Sequence, residues 1–338
     1  MKALVLNQPG EASIETVADP VPKDGEILLQ IRRAGLCGSD LNSFRGKNPM
    51  VSYPRVLGHE IAATILDIGE NTHPHLSAGI NVAVSPYIPC GQCPACLRYR
   101  ANACQFNQTL GVMCDGALAE FFAIRPEKLY SANLNLEELC LVEPLSVGFH
   151  AVARGRVTPQ DTVAVFGCGG VGLGVIAASS FRGARTIAID VDDTKLAIAC
   201  KAGATEAVNT TRESLHQKLQ ELTNGRGPDV VIEAIGLPQT FLAAIEEVAF
   251  TGRVVYIGYA KEPVAYETRL FVQKELDILG SRNALPEDFR SVIQMLEEHR
   301  FPVDAVISHT VSLDEAPAIL QAWSENPASF SKIMISLG

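Results

Sequence analysis

The sequence predicts an α/β protein of two domains, one β-rich and one a doubly wound parallel sheet. Three observations predict this. The chain has 338 residues, long enough for about two domains with separate cores. Its first third is a series of apolar or alternating runs separated by Gly, Pro and Asn. From about residue 160 the rhythm changes to short apolar strands alternating with helices, the pattern of a parallel sheet with crossovers on both faces.

The elements follow in order. Pro20, Pro22 and Gly25 punctuate the start, and EILLQIRRAGL, GHEIAATILDIG, NVAVSP and ALAEFFAI read as strands. The segment LEELCLVEPLSVGFHAVARG reads as a helix bridging the two halves, with one side buried against the β-rich part. TVAVFG is a strand followed by a helix that begins near Gly170. RTIAID precedes the helix DDTKLAIACKAG, PDVVIEAIG precedes PQTFLAAIEEVAF, and GRVVYIG and LDILGS close the series. Two helical patterns, PEDFRSVIQMLEEH and LDEAPAILQAWSE, lead to a last strand, KIMISL.

Composition narrows the function. Charged residues make up 20% and hydrophobic ones 47%, ordinary for a globular protein. A net charge of -10 with a pI near 5.3 disfavours nucleic acid, and no basic run suggests an anionic membrane. MKALVLNQPG starts apolar, but Asn7, Gln8 and Pro9 stop it short of a signal-peptide core. No apolar run approaches the ~20 residues that span a bilayer. A cytoplasmic location with reduced thiols is therefore expected.

Four of the nine cysteines, Cys90, Cys93, Cys96 and Cys104, fall within CGQCPACLRYRANAC. A disulfide pair, an iron–sulfur cluster and a closed zinc site compete for this pattern. Reduced thiols argue against the first. The ferredoxin pattern has a shorter last gap and usually a following Pro, where this chain has Gln105. Four thiolates complete a tetrahedral zinc and leave no place for substrate. The expectation is a structural zinc stapling a lobe at about residues 86–108, with the chemistry elsewhere.

Gly167, Gly169 and Gly172 form G-x-G-x-x-G between a predicted strand and a predicted helix. The first glycine suits the tight turn, the second a close approach to pyrophosphate, and the third close helix packing. Gly170 and Val171 open the helix whose N-terminus faces the phosphates. Asp190 ends the next strand, where a carboxylate takes the ribose hydroxyls, and Val191, Asp192 and Asp193 supply no Arg for a 2′-phosphate. NAD is therefore expected over NADP, and Cys168 is read as a small spacer.

A zinc centre with an open position needs three protein ligands. Cys37 in GLCGSD, His59 and Glu60 in LGHE, and Glu143 in VEPLSVGFHA are candidates, although no spacing rule unites them. His73 and His75 read as part of a solvated loop. His150 reads as packed in the bridge helix, and Cys114, Cys140 and Cys200 as structural.

With CGSD, GHE, the four-cysteine run, EPLSVGFHA and GCGGVG in this order, the chain resembles the zinc-containing medium-chain alcohol/polyol dehydrogenases over nearly its whole length. EPLSVG is similar to the polyol branch of sorbitol, threonine and sugar-acid dehydrogenases. RGKNPMVSYPRVLGHE and LGSRN resemble bacterial dehydrogenases of sugar acids such as L-galactonate.

The resemblance implies a GroES-like catalytic domain from residues 1–146 and 282–338 and a Rossmann NAD domain from 147–281. It implies two zinc ions per chain and hydride transfer between NAD and a secondary hydroxyl of a polyol or sugar acid. Another small secondary alcohol, such as that of threonine, and a catalytically idle NAD-binding sensor are the alternatives. Cys37 and His59 match catalytic zinc ligands, and Glu60 and Glu143 both match carboxylates that take the third place. Asp40 matches the carboxylate that orients His59, Ser39 the first proton acceptor, and Arg282 an arginine reaching the active site. Met50, Tyr53, Phe106 and Met113 are expected to line the pocket. Asn42 stands where many relatives carry a proton-relaying histidine. The LDILGS strand is expected at a sheet edge, pairing across a two-fold axis in a homodimer or homotetramer.

Overall fold

The N-terminal strands β1 (Lys2–Gln8) and β2 (Glu11–Thr16) pair antiparallel in the computed structural model, which describes residues 1–69 and 75–338. The chain continues through β3 (Ile27–Leu36), α1 (Gly38–Phe44), β4 (Arg55–Val56), β5 (Glu60–Asp67), β6 (Asn81–Val84) and β7 (Tyr87–Ile88). Then come α2 (Pro94–Leu97), β8 (Gln108–Thr109), β9 (Phe121–Ile124), β10 (Leu129–Ser131) and α3 (Leu136–Arg154). Ile27, Leu29 and Ile31 alternate inward along β3, the period-2 signature of a half-buried strand.

The chain divides into two compact units, Met1–Glu143 with Val303–Gly338, and Pro144–Pro302. The division falls inside α3, which was expected to bury one side only. From Leu139 to Val152 it is buried at every position but Val147.

The second unit runs through β11 (Thr162–Phe166), α4 (Gly170–Phe181), β12 (Arg185–Asp190), α5 (Asp193–Lys201), β13 (Glu206–Asn209) and α6 (Leu215–Leu222). It continues as β14 (Val230–Glu233), α7 (Pro238–Glu247), β15 (Arg253–Tyr256), α8 (Arg269–Gln273), β16 (Asp277–Gly280) and α9 (Pro286–Glu297). Its strands pair in parallel in the order β13-β12-β11-β14-β15-β16. The order reverses between β11 and β14, the place where doubly wound sheets open a crevice at the carboxyl ends of their strands. A core of Phe166, Ile187, Val231 and Val254 backs this sheet. β16 lies at the edge, as expected for LDILGS.

Residues 282–302 fall in this unit rather than in the catalytic part anticipated from sequence. Helix α9 buries Phe289, Val292, Met295 and Leu296, and its Asp288 holds His150 Nδ1 at 2.8 Å. The Arg300 guanidinium lies over the Phe181 ring at 4.8 Å. These contacts tie the segment to α3 and α4.

The chain then returns to the first unit as α10 (Val303–Val306), β17 (Ile307–Ser312), α11 (Ala316–Glu325) and β18 (Lys332–Ser336). β18 pairs with β3, giving a sheet ordered β10-β6-β5-β3-β18-β17, with β9 also on β3. Gly35 on β3 thus stands opposite Glu60 of β5 on one side and Met334 of β18 on the other. This register brings three strand ends to one place. Among the described residues no helix is long and apolar enough to cross a membrane.

Candidate metal centres and nucleotide site

The sulfur cluster is held by a short helix and the backbone around it. The Sγ atoms of Cys93 and Cys96 lie 3.6 Å apart, Cys93 and Cys104 3.8 Å, and Cys104 and Cys90 3.5 Å. A disulfide needs about 2.05 Å, so that reading is excluded. A tetrahedron with Zn–S of about 2.3 Å has edges near 3.8 Å, which these spacings fit. A multi-iron cluster would hold its thiolates on different irons and spread them further. The N–H groups of Cys90 and Phe106 both point at Cys104 Sγ at 3.3 Å, stabilising thiolate charge. Backbone donors lower the Cys93 pKa to about 6, whereas burial and neighbouring thiols raise Cys96 to about 12. Four thiols this close need a cation before all can ionise.

The second cluster forms where β3, β5 and β18 meet. Cys37 follows β3 and caps α1, and its N–H donates to Asp40 Oδ2 at 2.8 Å. His59 immediately precedes β5, and Glu60 opens it. One ligand atom from each of Cys37, His59 and Glu60 lies within 4.8 Å of the others. Ser39 Oγ is 3.3 Å from His59 Nε2, and Asp40 Oδ1 is 3.7 Å from Nδ1 on the other side of the ring. Both of those last atoms are buried without a hydrogen-bond partner. A carboxylate facing Nδ1 fixes the tautomer that leaves Nε2 a donor for a metal.

Glu143 is buried too, and the Tyr87 hydroxyl donates to its Oε1 in a short bond. Burial, with the neighbouring Glu60 charge, raises the Glu143 pKa to about 7 although His59 and Tyr87 pull it down. Burial also resists charge on the His59 ring, but Asp40, Cys37 and Glu143 outweigh it and hold its pKa well above the usual range. Burial raises the Asp40 pKa against the pull of His59. The pocket is rich in anions, and the chemistry of its donors, thiol, imidazole and carboxylate, fits zinc.

Two residues here went unread in the sequence. Lys332 places Nζ 2.7 and 2.6 Å from the two oxygens of Glu60 and 3.3 Å from the Leu36 carbonyl. A lysine opening a terminal apolar strand carries no local sign of burial. Tyr87 likewise follows an ordinary strand. Of the expected pocket residues, Tyr53 donates its hydroxyl to the Ser43 carbonyl at 2.7 Å. Met50 and Phe106 are exposed and Met113 is half-buried. Asn42 faces solvent from α1. Cys140 is buried, its thiol against the Glu60 carbonyl at 3.5 Å. Cys114 is half-buried and Cys200 exposed. His75 is exposed, and His73 lies outside the described residues.

In the second unit, Gly167 turns with φ +95 after β11, and a Cβ on Gly172 would sit 1.8 Å from the Gly167 carbonyl oxygen. That contact requires glycine at Gly172. Gly169 and Gly170 have nothing within 4 Å of a would-be Cβ and are exposed, so the start of α4 lies open to a ligand, Val171 included. Asp190 is anchored at the end of β12, accepting from Cys168 N–H at 2.7 Å and Val191 N–H at 2.8 Å. This open glycine turn beside a fixed carboxylate fits a dinucleotide. Arg212, not anticipated from the sequence, ion-pairs with Asp193 close by. Arg282 follows β16, half-buried in this same unit.

Comparisons with known proteins agree with this reading. The profile of the alcohol dehydrogenase GroES-like domain matches residues 23–133, and that of zinc-binding dehydrogenases residues 170–298. The L-galactonate-5-dehydrogenase of Escherichia coli K12 is 32% identical, the match covering 91% of each chain. Sorbitol dehydrogenase of Bacillus subtilis 168 is 34% identical over 83% of this chain and 81% of its own. A structure of rspB from Escherichia coli CFT073, complexed with NADH, superimposes with a TM-score of 0.92 at 27% identity, covering 99% of both chains. One from Sinorhizobium meliloti 1021, bound to NADP, gives 0.91 at 27% identity over 99% of this chain and 98% of that one.

Proposed function

Since the chain belongs to the zinc-type medium-chain alcohol dehydrogenases, we propose that it transfers a hydride between NAD and a secondary hydroxyl of a polyol or sugar acid, with an L-galactonate-like substrate favoured. The observation that carries this is the convergence of Cys37, His59 and Glu60 donors within 4.8 Å in a buried pocket. Zinc and the nicotinamide, when bound, supply a Lewis acid for the hydroxyl oxygen and an acceptor for the hydride.

The chain's own residues do the rest. Cys37 and His59, with a carboxylate from Glu60 or Glu143, hold the metal. Asp40 holds the His59 ring in orientation. Ser39, whose Oγ stands beside His59 Nε2, accepts the hydroxyl proton. Asn42 cannot relay it, because an amide does not titrate in the useful range, so water or the cofactor ribose carries it out. The carboxylate of Asp190 receives the adenosine ribose hydroxyls and repels a 2′-phosphate, which favours NAD. Arg282 is assigned to the substrate, as the partner of a carboxylate. Cys90, Cys93, Cys96 and Cys104 hold a structural zinc. The exposed edge strand β16, with Ile278, supports assembly as a homodimer or homotetramer.

The test is NADH formation with matched polyols and sugar acids, with and without a zinc chelator. Chelator-sensitive turnover of a sugar acid, with little on the matching polyol, is expected. Turnover confined to another small secondary alcohol would move the substrate to the threonine type. No turnover by metal-loaded, NAD-binding protein would favour a sensor.

A further inference from the structure

The rim beside the ribose carboxylate is built from the ends of two neighbouring strands. Asp190 ends β12 and Asn209 ends β13, and the two stand opposite each other in the parallel pairing. Backbone N–H groups hold the Asp190 carboxylate on both sides. Cys168 donates to Oδ2 at 2.7 Å, and Val191 and Asp192 donate to Oδ1 at 2.8 and 3.2 Å. The chain around Asp190 therefore fixes its position.

A second carboxylate lies three residues on, and it has taken a cation. Asp193 opens α5, and its Oδ1 accepts from Asn209 Nδ2 at 2.6 Å. Asn209 is steadied in turn by Thr211, whose N–H and hydroxyl donate to its Oδ1 at 3.0 and 2.7 Å. The other oxygen of Asp193 pairs with the Arg212 guanidinium. The loop after β13 thus carries an arginine to the rim of the site, and Asp193 holds it there. Arg212 and Asp193 are 69% and 51% exposed, so the pair is open to exchange with a ligand.

Charge decides the consequence. A phosphate monoester carries about two negative charges at neutral pH, and on the ribose 2′ oxygen it would meet Asp190 and Asp193 as repulsion. A guanidinium forks onto phosphate oxygens better than any other side chain, and here that group is already engaged. A free ribose hydroxyl needs no cation.

We propose that Asp193 is a specificity-determining residue: by holding Arg212 in an ion pair, it withholds the cation that a 2′-phosphate would need. This rests on the reading of the glycine turn and Asp190 as the dinucleotide site. It goes beyond repulsion by Asp190, because the discrimination is released without touching the carboxylate that meets the ribose. Residues of the loop after β13, and not only those after β12, then set the choice between NAD and NADP.

Displacement of NADH fluorescence by 2′,5′-ADP and by 5′-AMP, in the full-length protein, tests this without turnover. Asp193→Asn keeps an oxygen for Asn209 and removes the charge that holds Arg212. It should bind 2′,5′-ADP about fivefold more tightly than wild type, the most that an exposed ion pair is worth, with 5′-AMP unchanged. Asp193→Asn combined with Arg212→Gln should lose that gain. Lys195, the neighbouring cation on α5, stays in place in every variant. Unchanged 2′,5′-ADP affinity in Asp193→Asn, or a gain that survives the loss of Arg212, overturns the inference alone. A gain shared equally by 5′-AMP does so as well. Wild-type protein that binds neither NADH nor 5′-AMP overturns the reading of the glycine turn beneath it.

Discussion

The two clusters of the first unit reach metal-binding geometry by opposite routes. The sulfur cluster draws four identical ligands from fifteen consecutive residues, on a short helix and the turns around it. The second centre draws its unlike donors, Cys37, His59 and Glu60, from the facing ends of β3 and β5, with Lys332 of β18 against Glu60. Local construction gives a closed, symmetric set of donors. Dispersed construction gives an unequal set with unlike surroundings: Asp40 faces His59, Lys332 grips Glu60, and Tyr87 meets the buried Glu143 nearby. A reactive centre needs an open position, which three protein donors leave and four do not.

The largest expected effect separates the two by mutation. Cys104→Ser should lose one zinc and expose the lobe around residues 86–108 to proteolysis, because metal binding there is folding energy. Cys37→Ser should lose the other zinc and lower turnover on the order of 10³-fold, the scale of a lost electrostatic stabiliser. Its thermal unfolding should stay near that of wild type. Metal analysis, limited proteolysis and calorimetry on both variants check this. If the two variants behave alike, the contrast between a staple and a working centre fails.

A smaller effect sharpens the comparison within the second centre. Gly35→Ala puts a methyl group where Glu60 Oε2 lies, and overpacking of this kind costs about 1–3 kcal/mol. The displaced carboxylate should change metal retention at the second centre while the sulfur cluster keeps its zinc. Melting temperature and metal content together read this out. Unchanged retention would show that the Glu60 position matters less than its packing suggests.

The same contrast explains what the sequence made legible. Adjacent cysteines at fixed spacing, and glycines at a strand–helix turn, announce themselves, because local chemistry dictates local spacing. Cys37, His59, Glu60 and Glu143 were candidates by residue type alone and took roles only through resemblance, since no spacing rule connects them, and Lys332 and Tyr87 were not named at all. In the fold, RTIAID coincides with β12, and PQTFLAAIEEVAF starts with α7. By contrast β13, four residues long, and α6, which buries only Leu219, carried too little apolar pattern to be read. The place of residues 282–302 was misjudged because α9 has an ordinary amphipathic face, and only tertiary contacts such as His150–Asp288 show which unit it packs in.

The smallest expected effect concerns the proton rather than the metal. Asn42 lies on the exposed side of α1, one turn beyond Ser39 and five residues after Cys37. Its amide does not titrate in the useful range, so on the proposed route from Ser39 proton loss would depend on water or the ribose. An imidazole at this position titrates near pH 6.5. Asn42→His should therefore add a rise in turnover through about that pH, as the ring deprotonates and becomes a proton acceptor. Metal content and the melting temperature should not move, because the side chain is exposed. The pH dependence of kcat for wild type and Asn42→His decides the matter. Two identical profiles would place residue 42 off the proton's route and leave the whole of proton release to groups nearer Ser39.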